Sequence, residues 1–238
     1  MSLPDNVRYL VCDTETTGVE EDDKVVEVGW LEIDEHFNVI REVESLIDPE
    51  RFISPESSGV HHLVNADVEN SPTIEEFFGL DDPSCFGSKI EDPVVLIGHR
   101  IAFDHRFLKP YMPNIVQELC TLRWVRRLYP ESGNHQLSTM IYALNLPRST
   151  GAHRVMADVM TAFHLTKHLC ERTGMTLREL AQASAPPFEM AKMPMGKHKG
   201  DAFADVPSSY FRWMQGNMDL DYDLAYTVQL ALDNKKKK

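Results

Sequence analysis

Cysteine is scarce, basic charge is in deficit, and no long apolar run occurs. The 238 residues hold four cysteines, Cys12, Cys85, Cys120 and Cys170, scattered without paired spacing. That excludes a disulfide framework and predicts core thiols in a reducing compartment. No stretch approaches membrane-spanning length, and Met1 to Asn6 lacks the basic-then-apolar pattern of an export signal. The expectation is a cytoplasmic protein with no membrane partner. Lysine and arginine number 24 against 37 aspartates and glutamates, a formal net charge of −13. A surface of that sign argues against a nucleic-acid binder, because phosphate contacts demand basic charge. The apolar and charged fractions, 42% and 26%, are those of an ordinary globular chain with one sizeable core and an appendage.

What is present is a set of acids in telling settings. The apolar run Val7 to Cys12 reads as a buried strand, followed by Asp13-Thr14-Glu15-Thr16-Thr17-Gly18. Successive strand side chains alternate, so Asp13 and Glu15 project to one side together. A second apolar strand, Pro93 to Ile97, ends in Gly98-His99-Arg100 before a helix that starts near Ile101 and carries Asp104. Strand ends are where open α/β sheets place their sites. Asp158 follows His153 by five residues, which on one helix separates them by roughly 140°. Both face one pocket only if His153 precedes the helix, and Ser149-Thr150-Gly151 supplies a turn there. Clustered carboxylates repel, so their pKa values climb unless cations compensate. Hard oxygen ligands without a zinc-type cysteine-histidine set select Mg²⁺ or Mn²⁺. Two such ions can hold a phosphodiester between them, with His153 taking a proton from water.

Asp-x-Glu, then an acid ending Gly-His-x-x-x-Phe-Asp, then His-x-x-x-x-Asp, resembles in order and spacing the DEDDh branch of the DnaQ-like exonucleases. The resemblance implies an α/β, RNase H-like fold, a mixed sheet flanked by helices, and 3′-to-5′ release of nucleoside 5′-monophosphates from DNA ends, single-stranded or duplex, in repair, recombination or replication. It implies Asp13, Glu15, Asp104 and Asp158 as metal ligands and His153 as general base. It also implies that Thr16, Thr17 and His61 line the pocket for the terminal nucleotide. Arg100 stands where the family usually has asparagine, and an arginine there suits a phosphate contact. In one subgroup the residues just past the first motif act on a duplex end, and the matching positions are Val19 and Glu20. A nuclease with this net charge is expected to bind modestly and distributively rather than track tightly along DNA. Two alternatives stay open: an exoribonuclease or oligoribonuclease of the same branch, with RNA as partner, and a polymerase proofreading subunit.

Along the chain, strands are predicted at Val25 to Ile33 and Val39 to Ile47. Helices are predicted near Ser54 to His61, Thr73 to Phe78, Thr121 to Tyr129, Gln136 to Ala143, Arg154 to Arg172 and Leu177 to Ala183. The longest shows Val155, Val159, Ala162, Phe163, Thr166 and Leu169 on one face. Asp81 to Asp92 reads as an acidic surface excursion. Ser184-Ala185-Pro186-Pro187 breaks the helical pattern, dividing the chain into an exonuclease domain, 1–185, and a small C-terminal module, 186–238. In that module Lys197-His198-Lys199 forms a basic turn between Gly196 and Gly200, and Phe203, Val206, Tyr210, Phe211, Trp213 and Met214 are expected to bury a small core. Lys235 to Lys238 is expected to fray. Positive charge gathers at Arg123, Arg126, Arg127, Arg148 and Arg154, and the helical spacing of the first three suits a solvated face as well as a DNA-facing patch.

Overall fold

The computed structural model of the protein describes residues 2–79, 92–148 and 154–236. His153, the Ser149 to Gly151 turn and all but the last residue of the acidic excursion lie outside the described residues. The chain divides into two compact units. One comprises Met1–Thr121 and Gln136–Ala185, the other Leu122–His135 and Pro186–Lys238. The division after Ala185 falls within the Ser184 to Pro187 break, but Leu122–His135 clusters with the second unit.

The first unit is built on β1 (Arg8–Thr16), β2 (Val25–Ile33), β3 (Val39–Leu46), β4 (Val94–Gly98) and β5 (Ile115–Cys120), in the spatial order β3-β2-β1-β4-β5. The first three strands form an antiparallel meander, while β4 pairs parallel with both β1 and β5. This is the mixed sheet with flanking helices expected of an RNase H-like fold. β2 is buried along its whole length, its two glutamates included, and Glu27 and Glu32 are met by Arg154 and Arg8. β5 was not anticipated. Its Gln117 and Glu118 break the apolar run, so its strand character comes from the parallel ladder to β4 rather than from local pattern.

Short helices α1 (Pro55–His61), α2 (Asn65–Val68), α3 (Ile74–Gly79) and α4 (Ala102–Leu108) fill the connections. Ser54 caps α1, accepting from the Ser57 N–H at 3.1 Å. Thr73 and Glu76 cap the start of α3 reciprocally, at 3.2 and 2.9 Å. After α5 (Thr121–Leu128) and α6 (Leu137–Ala143), the long α7 (Val155–Thr173) crosses β1, β2 and β4, and α8 (Leu177–Ala183) packs beside β5. All six residues predicted for the apolar face of α7 are buried. Gly29 permits the close approach of α7 to the sheet, since a Cβ there would meet Val155 Cγ1 at 2.8 Å. Cys12, Cys120 and Cys170 are buried free thiols. Among the described residues no helix is long and apolar enough to cross a membrane.

The second unit has its own core of Met193, Phe203, Val206, Phe211, Met214, Leu224, Val228 and Leu232. These come from the segment after Pro187 and from α9 (Ser208–Asn217) and α10 (Tyr222–Lys236). Trp213 does not join it, being 50% exposed. Lys235 and Lys236 close α10 instead of fraying, and Lys235 donates to the Val206 carbonyl at 2.5 Å. The expected arginine patch is largely engaged internally. Arg123 grips Asp223 with two hydrogen bonds, 2.8 and 2.7 Å, and Arg126 pairs with Asp221 at 3.0 Å. Arg127 lies over the rings of Trp124 and Phe188.

Candidate active site

A pocket of about 420 Å³ opens in the first unit, lined by Asp13, Glu15, Asp104 and Asp158 together with Thr14, Val19, Val60, His99, Arg100, Phe103 and Arg106. Its four acids come from three elements that the fold brings together. β1 supplies Asp13 and Glu15, two residues apart and therefore on one side of the strand. The parallel register of β1 and β4, with Val11 opposite Ile97, sets the end of β4 and the start of α4 beside them, and α4 carries Asp104. Asp158 lies in the first turn of α7.

Asp13, Glu15 and Asp158 each present one ligand oxygen, all within 4.8 Å of one another. Asp104 is held differently. Its Oδ1 accepts from the backbone N–H of Thr14 at 2.9 Å and from the Thr14 hydroxyl at 2.8 Å, which fixes the carboxylate beside Asp13. Three converging carboxylates with a fourth alongside fit a hard divalent cation.

The electrostatics say the same. Burial, and after it the charges of Asp104, Asp158 and Glu15, raises the Asp13 carboxyl well above the usual range. Burial followed by Asp158 and Glu27 pushes Glu15 up to about 8, with Arg154 opposing. Burial lifts Asp104 to about 7 against the two hydrogen bonds from Thr14 and the charge of Arg100. Without counter-charge these acids bind protons more tightly than free carboxylates do.

Glu27 is the residue that the motifs do not reveal. It is fully buried on β2, opposite Glu15 in the register. Its carboxylate receives Arg154 Nη2 at 2.7 Å and Nε at 3.0 Å, and the Val155 N–H at 3.3 Å. It thus takes the place of a side-chain cap at the start of α7, where Arg154 makes none. The signal was available: an acid between Val26 and Val28 in a mostly apolar strand has no place in a core without a partner.

Other expected residues sit elsewhere. The Thr16 hydroxyl donates to the Gly18 carbonyl at 2.6 Å, and that of Thr17 to Asp23 Oδ1 at 2.8 Å. Both shape the turn after the first motif and neither is among the pocket-lining residues. His61 is 1% exposed, and its Nδ1 accepts from the Leu63 N–H at 3.1 Å, which leaves the proton on Nε2. Burial lowers its pKa, and its neighbour Val60 takes the lining position. His99 lines the pocket while its Nδ1 lies 2.9 Å from the Thr121 hydroxyl. Arg100 lines it with a left-handed backbone, φ 66°. Arg106 also lines it and donates to the Val19 carbonyl at 2.6 Å, tying down the turn after the first motif.

Two expectations follow. In metal-free protein, Glu15 and Asp104 ionise near 8 and 7 when folded against 4.5 and 3.8 as free groups. The folded state therefore binds protons more tightly, and this contribution, complete below about pH 4, is lost as pH rises through about 7 to 8. Thermal melts in chelator should fall across that window, and Mg²⁺ or Glu15→Gln should flatten the fall. An unchanged slope in both would contradict the clustering. Arg154→Ala should lower stability by roughly 2–3 kcal/mol, less than for a fully enclosed pair because solvent reaches the guanidinium, and Glu27→Gln added to it should recover part of the loss.

Residues 10–166 match the family model described as "Exonuclease", and residues 188–219 match a second model whose description includes the words "quorum-sensing-regulated virulence factor". The chain is 28% identical over 231 residues to exodeoxyribonuclease 10 of Escherichia coli K12, covering 94% of this chain and 98% of that one. It is 28% identical over 172 residues to the DNA polymerase III subunit epsilon of Treponema pallidum, covering 69% and 77%. The structure of exonuclease X in complex with 5′ overhanging duplex DNA superposes with a TM-score of 0.58 at 26% identity, over 75% of this chain and 99% of that one. With its sheet, its carboxylate pocket and a family match across the first unit, the chain belongs to the exonuclease family, hydrolases of phosphodiester bonds on the RNase H-like fold of the DnaQ-like nucleases.

Proposed function

We propose that the protein is a 3′-to-5′ exodeoxyribonuclease that removes nucleoside 5′-monophosphates from DNA ends with two Mg²⁺ or Mn²⁺ ions, acting in the cytoplasm in repair, recombination or replication. The observation that carries this reading is the meeting of the Asp13, Glu15 and Asp158 oxygens within 4.8 Å in a pocket that also holds Asp104. These four carboxylates are the metal ligands in this reading. When bound, the metal supplies a polarised water and stabilises the leaving oxygen. The chain's own residues do the rest. Thr14 holds Asp104 in place, and Glu27 with Arg154 fixes the start of the helix that bears Asp158. His153, one residue before Arg154, accepts the proton of the attacking water. In this division of labour 1–185 is the catalytic domain and 186–238 an appended module.

At the pocket mouth, Val19 is 69% and Val60 53% exposed. Apolar side chains so placed suit the face of a terminal base, with Val19 and Glu20 beside the end of a duplex and Thr16, Thr17 and His61 supporting the nucleotide site from behind. Arg100 is assigned to phosphate. A left-handed backbone disfavours arginine by about 1 kcal/mol and is tolerated by asparagine, so retaining arginine at φ 66° argues for use of its guanidinium.

Hydrolysis of labelled DNA and RNA oligonucleotides of one sequence tests the reading. DNA should be shortened from its 3′ end, chelation should stop the reaction, and Mg²⁺ or Mn²⁺ should restore it. Asp13→Ala should abolish turnover, and His153→Ala should lower it by roughly 10² to 10⁴. Faster loss of RNA would move the assignment to an exoribonuclease, and an active Asp13→Ala would end it. Arg100→Asn should raise stability by about 0.5–1 kcal/mol while weakening DNA-end binding with a shallower salt dependence. Unchanged affinity and salt slope would remove Arg100 from the substrate site.

A further inference from the structure

We propose that the second unit carries a stacking site for single-stranded nucleic acid, built from Trp213, Tyr210 and the basic turn at Lys197 to Lys199, and sharing no residue with the carboxylate pocket. It rests on the nuclease reading only for the identity of its ligand as substrate strand.

The site begins with helix geometry. Three-residue spacing on α9 sets Tyr210 and Trp213 side by side, and their rings stack with centroids 5.5 Å apart and planes 21° apart. The same helix sends Phe211 and Met214 into the core, so its register is anchored and the aromatic pair is held outward. Tyr210 is gripped further by the basic turn. Lys197 Nζ lies 4.9 Å from its ring centre, and the His198 ring meets it edge-on at 4.7 Å. Asp201 orients His198 through Nδ1 at 2.9 Å. Gly196 makes this approach feasible. Its φ is +71°, and a Cβ there would sit 2.3 Å from the Tyr210 hydroxyl oxygen.

The outcome is an indole fixed by a stacked neighbour yet 50% exposed. Trp30 and Trp124, by contrast, are 0% and 3% exposed. Burying an indole is among the larger stabilising contributions a small unit can make. Here that gain is forgone, and half of the indole stays open next to a tyrosine ring that carries the Lys197 ammonium.

Charge selects the occupant. The second unit holds 11 of the 24 lysines and arginines but 8 of the 37 aspartates and glutamates, so it is basic within an acidic chain. Arg123, Arg126 and Lys192 are held by Asp223, Asp221 and Glu131. Among the described residues Lys197, Lys199 and Arg212 make no ion pair. They are the cations next in the chain to the stacked rings. A half-open indole stacked on a ring that carries Lys197, with two more cations free of ion pairs next in the chain, matches a base and its phosphate. Duplex DNA keeps its base faces covered, so the ligand is a single strand.

The experiment uses the full chain in chelator, where no hydrolysis occurs, titrated with an oligothymidylate of about 15 nucleotides, near the upper site size of compact single-strand modules. Trp213 is the exposed indole, so its fluorescence should be quenched on binding, and affinity should fall with salt. Trp213→Ala should weaken binding by about tenfold, the worth of one stacked base, while Trp213→Phe retains most of it. Lys197→Glu with Lys199→Glu, on an exposed turn that leaves the core intact, should weaken binding comparably and flatten the salt dependence. Thermal melts confirm that each variant is folded. Affinity for the oligonucleotide unchanged in the double variant and in a folded Trp213→Ala overturns the proposal. So does quenching by an acidic peptide but not by the oligonucleotide. Adding Mg²⁺ to wild type separates the two readings. Binding without hydrolysis defeats the nuclease assignment alone, whereas hydrolysis with variants that bind normally defeats this site alone.

Discussion

Mutual repulsion among carboxylates held at one strand end is the constraint around which the first unit is organised. Asp13 and Glu15 leave β1 on the same side, and the parallel pairing of β1 with β4 delivers Asp104 beside them. α7 brings Asp158 within 4.8 Å of the first two. No chain gathers such a group for stability, because each acid raises the others' pKa and burial adds to the effect. The packing of α7 across the sheet, the close approach at Gly29 and the hydrogen bonds from Thr14 are the restraints that hold the group together.

Glu27 shows how one buried charge serves such an arrangement. Its own position adds to the negative field at Glu15, yet through Arg154 it brings a guanidinium to the same place. The pair also ties β2 to the first residue of α7, so the strand next to β1 and the helix bearing Asp158 keep a common register. An apolar pair would pack there as well, but it would not fix the helix start with directional bonds.

The two units solve opposite electrostatic problems. The first concentrates negative charge that a cation must answer, and the second keeps a small surplus of positive charge. Within the second unit, ion pairs draw Arg123 and Arg126 into the structure around Asp223 and Asp221. Among the described residues Lys197, Lys199 and Arg212 are the cations next in the chain to Tyr210 and Trp213 that make no ion pair, and Lys197 lies over the Tyr210 ring. A net charge of −13 describes neither unit.

Much of the chemistry was legible in the chain because it is local. Alternation on β1 placed Asp13 and Glu15 together, strand ends located Asp104, and the periodicity of α7 identified its buried face. β5 was missed because Gln117 and Glu118 obscure a strand that exists through its ladder to β4. Trp213 was misplaced in the core because composition cannot say which side of α9 faces inward. By itself the sequence determined the kinds of ligand atom, their order and the elements that carry them, since these follow from residue identity and short-range spacing. Only the tertiary structure decided that Glu27 would meet Arg154, 127 residues away, and that Arg123 would close on Asp223, 100 residues away. Such pairings join distant segments, so which charges stay open for a ligand is settled by how the chain packs.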